Sequence, residues 1–506
     1  MAEGTPVRII SKPGIKRDGT LFEGENYVDA LWCRFNRGLP RKIGGYQAVT
    51  SSIPELVRGM TSFSQNDLQY LHLGSASRVS QIRVDSSGVF SGLSDRTPAA
   101  FPSSTDILWQ FESMYDSVSG GTILVGHPGH NLSTISSSTT SDIYTGNVTA
   151  ATALTAAGLA DPESGGIVAL APYLIKFGNG GRFAWSVPNK PTDFAGAGSG
   201  VSFVTGQKIV RGLPLRGSSG PAGIFWSLDS VLRATFDSTT LWNVNTVSGE
   251  SSILSSQGVI EYDSIYYWPG VDRFLAYNGV VQELPNDMNQ NYFFDNLNYA
   301  HRQKVFAFKV PRWGEIWWCY PRGSATECTH AIIYNVREKT WYDTSLPGSG
   351  RCAGVFAKVY SKPFMVDVDL TTDGYTLWQH ETGVDEINAS VIRPIRSYFE
   401  TNEISMLTGD SPKDQALRIS RMEQDFVQTG DMTLTITGRA NARAPETVSG
   451  PYVFPDTATS AAEQVINLKD NRRLMRFKFE SNTTSGDYQM GQCFGHISPS
   501  DGRITQ

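Results

Sequence analysis

The feature that most constrains this chain is a rhythm. From about residue 55 to 385, short runs of Val, Ile, Leu, Phe, Tyr and Trp recur, divided by Gly, Asp, Asn or Ser pairs. Such runs, bounded by turn formers and rich in β-branched and aromatic residues, read as strands because those side chains fill a pleated surface well. Nowhere does an apolar 3.6-residue period persist over three turns, which argues against long amphipathic helices. Strands alone, repeating every several tens of residues, predict an all-β fold built on a β-propeller. At ~40–50 residues per blade, about six or seven irregular blades fit the stretch.

The clearest unit runs through Val305 to Val310, Glu315 to Tyr320 and Ala331 to Asp343, with a polar turn at Arg337-Glu-Lys before Trp341. It resembles a kelch-like blade. A weaker copy spans Ser264 to Leu284, where Asn278-Gly279 between two apolar runs is the strongest short hairpin signal. Residues 131–165 and 188–222 are poor in strand formers and are expected to be long, gate-like loops.

With 506 residues, two to four units are expected at ~100–200 residues each. The rhythm divides the chain into an N-terminal arm (1–54), the propeller (55–385) and a C-terminal β-sandwich-like domain (386–506). In the last part strands lengthen; in Arg473 to Phe479, Arg476 and Lys478 alternate with Met475, Phe477 and Phe479, predicting one buried face and one cationic, wet face. Charged residues are only 18% of the chain, below the ~25% usual in soluble domains, which favours short strands and turns over solvated helices.

The formal net charge is −6, yet residues 1–54 hold eight Lys or Arg against five Asp or Glu. A basic arm thus leaves an acidic body. That balance speaks against a broadly cationic nucleic-acid binder but suits a surface past which a polyanion slides, since phosphate affinity grows with each Lys or Arg contact. Within Tyr27 to Tyr46, alternation before a Gly-Gly turn would place Trp32, Arg34 and Asn36 on one strand face and Leu31, Cys33 and Phe35 on the other. Arg34, Arg37, Arg41 and Lys42 form the densest basic cluster and, with Trp32, are the expected partner-docking element.

No catalytic residue, metal ligand or cofactor site is expected. His127-Pro-Gly-His130 places two imidazoles across a turn rather than on a rigid ligand pair. Asp367 to Gly374 lacks the distal glutamate of a calcium loop and reads as a polar hairpin turn. Trp313, Trp317, Trp318 and Trp341 could stack bases or sugars, but alternation sends Trp317 and Trp318 to opposite faces, as packing requires. The five scattered cysteines lack zinc-site spacing and are expected to be reduced thiols. The first residues lack a secretory-signal pattern and no apolar run approaches a membrane span, so a soluble cytosolic product is expected.

Leu31 to Tyr46, together with Glu423 to Met432, Gly438-Arg439 and Arg472 to Ser481, resembles the opening and closing strands of the nozzle or tail-hub proteins of short-tailed bacteriophages, the packaged-DNA-stabilisation group. The resemblance implies a non-enzymatic virion tail protein, assembled in the host cytoplasm. It implies a ring of identical subunits, usually six, bound to the portal-adaptor ring and other tail proteins. Double-stranded DNA would pass through it without sequence recognition. The residues themselves also admit a carbohydrate-binding or depolymerising propeller, or a kelch-like interaction scaffold.

Overall fold

The computed structural model describes residues 4–500 apart from 22, 66–67, 86–88, 135–140, 158–160, 359–360, 406–414 and 457–464. The chain is all-β. Between Val57 and Ser345 it runs through six four-stranded antiparallel meanders, each strand bonded to its predecessor. Their first strands are Val57–Gln65, Gln110–Asp116, Gly166–Leu170, Ile209–Pro214, Ile260–Tyr262 and Phe306–Val310.

A seventh sheet starts with Arg351–Ala357, Lys362–Asp367 and Tyr375–His380. Its fourth strand comes from the other end of the chain: Tyr46–Ile53 pairs antiparallel with Tyr375–His380. The hairpin Glu386–Asn388 and Val391–Arg393 lies outside that strand and widens the sheet to six. First strands of neighbouring sheets lie side by side from the first to the fourth sheet and from the fifth to the seventh. Arg351–Ala357 then lies against Val57–Gln65, returning the series to its start.

The sixth sheet shows how sequence makes such a unit. Phe306, Phe308 and Val310 alternate inward. Glu315–Tyr320 is buried throughout because both of its faces are covered: Trp317 joins the core shared with the terminal strands, and Trp318 packs towards the fifth sheet. The following hairpin closes where the Asn335 carboxamide oxygen accepts the Arg337 and Glu338 amides, and Lys339 takes φ +51°.

The two ends of the chain fold together as one lobe. One sheet runs Val465–Arg472, Ala416–Thr429, Asp487–Ser500, Leu39–Lys42, Cys33–Asn36, with Thr5–Arg8 also paired to Asp487–Ser500. The other runs Asp29–Leu31, Ser397–Glu400, Leu474–Ser481, Met432–Arg439, Thr447–Phe454. Their inner faces meet through Phe399 and Phe479 on one side and Phe426 on the other. The described strands within 1–54, expected as an arm, are therefore spread over both sheets of the lobe, a two-stranded sheet of Lys12–Ile15 with Asn26–Tyr27, and the seventh sheet.

Three expectations change at this level. Trp32 adopts φ +50°, which breaks the expected strand into Asp29–Leu31 and Cys33–Asn36 and sends them to different sheets. Both sides of the second piece are then covered, so Cys33, Arg34 and Phe35 are all buried. The face expected to be wet in Arg473 to Phe479 is closed over: Arg476 is buried, 2.9 Å from Glu400 and 3.0 Å from Glu446. The stretches 131–165 and 188–222 hold strands Tyr144–Asn147, Thr155–Ala156, Gly200–Phe203 and Ile209–Pro214, each paired through its backbone to a neighbouring strand of its sheet; residues 135–140 and 158–160 lie outside the described residues. Among the described residues there is one α-helix, Gln290–Asn296, its first amides bonded to the Asp18 carboxylate, and no helix is long and apolar enough to cross a membrane.

Candidate functional site

The expected docking residues converge on the seam where the terminal lobe meets the sixth and seventh sheets, but most of them face inward. Arg34 is 1% exposed. Its Nε lies 2.8 Å from Glu315 Oε1, and its Nη1 and Nη2 donate to Glu381 Oε2 and Oε1 at 2.8 and 2.5 Å. Glu315 also accepts from Tyr342 Oη at 2.7 Å and Trp317 Nε1 at 2.8 Å, and Glu381 accepts from Trp313 Nε1 at 3.1 Å. The two carboxylates are thus saturated by one guanidinium, two indoles and a phenol.

Burial pushes the Glu381 carboxyl up, but the Arg34 guanidinium outweighs it and holds the group below the usual carboxylate range. For Glu315, fully enclosed, burial prevails and the shift is upward. Burial likewise opposes the charge on Arg34, and its two acidic neighbours reverse that, so the guanidinium stays ionised.

Trp32 lies within the same seam. Its amide donates to Thr344 Oγ1, its indole to the Gly44 carbonyl, and its own carbonyl accepts from Ile43 N and Ser397 Oγ. These four bonds fix a left-handed backbone that an aromatic residue does not choose unaided. Lys42 is buried as well, donating to the Gly486 carbonyl at 2.6 Å, and burial pulls its pKa down to about 8.

Arg41 and Arg37 remain nearer to solvent. The Arg41 guanidinium sits 4.9 Å from the centre of the Trp313 ring, which Arg34 and Arg312 also approach, at 4.8 and 5.0 Å. Arg37 is exposed, and its amide donates to Glu338 Oε1. Of the five residues expected to meet a partner, then, Trp32, Arg34 and Lys42 are occupied within the chain: Arg34 neutralises two acids of the sixth and seventh sheets, while Trp32 and Lys42 bond to backbone carbonyls and hydroxyls. Sequence reasoning missed Glu315 and Glu381. A carboxylate heading the otherwise apolar run of Glu315 to Tyr320 was a visible signal for the first; Glu381 has no local one.

The other motifs separate. His127 is buried, its Nδ1 accepting from Gly129 N and its Nε2 3.5 Å from Asp142, whereas His130 faces a cavity. Asp367 accepts from Thr376 N and Trp378 Nε1, both at 2.9 Å, inside a hairpin. Among the described residues no three His, Cys, Asp or Glu side chains gather as a metal ion would require. All five cysteines are buried free thiols, and burial pushes Cys33, Cys352 and Cys493 up to about 12.

No family model matches the chain, and no curated protein matches it. Among solved structures, a crystal structure of the computationally designed Ika8 protein aligns over 66% of this chain and 99% of that one, with 12% identity and a TM-score of 0.37. A likeness this weak supports no conclusion about the chain.

Proposed function

We propose that the seven meander sheets are the blades of a β-propeller closed by Tyr46–Ile53, that the terminal lobe is a β-sandwich, and that the protein is a structural, non-catalytic subunit of a short-tailed phage tail. Six or so copies form a ring below the portal and adaptor, in the virion tail, retaining the packaged genome and conducting it on ejection. One observation carries this reading. The segments that bear the family resemblance lie at opposite ends of the chain, yet they enter the same two sheets one strand apart: Leu39–Lys42 and Ala416–Thr429 both pair with Asp487–Ser500, while Asp29–Leu31 and Leu474–Ser481 flank Ser397–Glu400. A resemblance scattered by chance has no reason to converge on one lobe.

A second point bears on the conduit. Gln257 Nε2, leading into the fifth sheet, donates to the Arg58 carbonyl of the first sheet at 2.6 Å. That tie crosses the middle of the series of first strands, so the DNA path is assigned to the space enclosed by several subunits. Rings of identical subunits need heterologous interfaces that close, and a wedge with a rigidly attached lobe can supply them. Mass photometry and negative-stain imaging of the purified protein, alone and with its adaptor ring, test the reading. Closed rings are expected in at least one condition; monomers in both would overturn it.

A further inference from the structure

Loops entering the first strands of the second to sixth sheets, with the loops that follow the second strands of the second and fourth sheets, line a cavity of about 400 Å³. Leu108, Val210, Leu228, Ile253 and Leu254 give it an apolar wall. Lys208, Arg302 and His130 line the same space, together with Ser256, Gln303 and one carboxylate, Asp106. A second cavity, of about 650 Å³, shares Asp106, Leu108 and Gln303 with the first, so the two form one basin, and Tyr375 lines its far side.

The cations of this basin differ in how they are matched. Arg58 and Lys304, in the second cavity, both pair with Glu327 at 2.7 Å. Lys208 and Arg302, in the first, are half-buried, and among the described residues neither side chain has an ion-pair or hydrogen-bond partner. Burial alone lowers the Lys208 pKa, with no carboxylate to raise it again. Half-buried cations left unmatched above an apolar wall are costly to the fold and available to an incoming anion.

We infer that this basin binds an acidic sugar, a pyranose unit carrying a carboxylate, with Lys208 and Arg302 as the carboxylate ligands and Ser256 and Gln303 as hydroxyl partners. A bare inorganic anion would use the cations but leave the wall and the amide idle. The volume lies within the ~300–1,000 Å³ common for small-molecule sites and has room for a ring. The inference does not depend on ring assembly.

The test is calorimetric titration of the full chain with glucuronate, glucose and inorganic phosphate, with Lys208→Ala and Arg302→Ala as variants. Glucuronate is expected to bind, glucose at least about tenfold more weakly, and each variant to lose about tenfold or more, as expected for a charge-assisted bond. Glucuronate binding no tighter than glucose, or unchanged in both variants, overturns the site. Phosphate binding as tightly as glucuronate overturns its assignment to a sugar. Rings that form without glucuronate binding sink this inference alone; monomers that bind glucuronate sink the ring reading alone.

Discussion

The lobe seam and the first sheet bury ionisable side chains in opposite states. At the seam Arg34 is enclosed between Glu315 and Glu381, and every partner is charged or donates to a charge. In the first sheet His72 is equally enclosed, yet neither ring nitrogen has a partner with hydrogen-bond geometry, and the nearest charge is the cation Arg96. Burial, assisted by Arg96, drives the His72 pKa down to about 3, so the ring is neutral. Arg34 keeps its charge between two carboxylates, and Arg96 keeps its own because the Thr152 and Asn147 carbonyls and the Gln81 carboxamide oxygen accept from it; His72, with no such acceptor, gives up its proton.

The largest expected effect comes from unmatching the seam. Arg34→Met leaves Glu315 buried without a cation, and removing one partner of a buried pair costs about 3–5 kcal/mol. Urea denaturation should show the loss, and adding Glu315→Gln should recover part of it. Full stability in the single variant would show that the seam does not depend on matched charge. Next comes acid. The folded pKa of His72, about 3, lies below the unfolded value near 6.5, so between those values the unfolded chain binds the extra proton and stability falls as pH falls. At about pH 4.5 the deficit is roughly 3 kcal/mol, two units at ~1.36 kcal/mol each. His72→Leu should flatten that part of the curve; an unchanged acid limb would mean the ring is already protonated in the fold.

These contrasts also mark what was legible in the sequence. The meander rhythm was, because a strand's inward residues announce themselves locally: Phe306, Phe308 and Val310, or Trp317 against Trp318. Asn278-Gly279 marked its hairpin, and Gly279 takes φ +113°. The fate of the basic cluster was not. Arg34 and Glu381 are 347 residues apart in sequence, and nothing near either specifies the other. Nor could alternation foresee Trp32, whose left-handed backbone is held by Thr344, Gly44, Ile43 and Ser397 rather than by its own preference. Lys208 and Arg302 likewise line one cavity only because successive sheets bring their entry loops to one end, where His130, after the second strand of the second sheet, joins them.

The smallest expected effect sharpens the comparison. Arg396 and Glu480 repeat the bidentate chemistry of Arg34 and Glu381, with Nε to Oε1 at 2.7 Å and Nη2 to Oε2 at 2.9 Å, but on the outside of the lobe, where half of the Arg396 side chain meets water. Water solvates both ions when the pair is broken, so no stranded charge remains. Arg396→Gln should therefore cost less than about 1 kcal/mol, and the loss should shrink further as salt is added. Geometry is held nearly constant between the two pairs while solvent access changes. Equal losses from Arg396→Gln and Arg34→Met would mean that bonding geometry decides stability here; a several-fold difference assigns it to the dry environment of the seam.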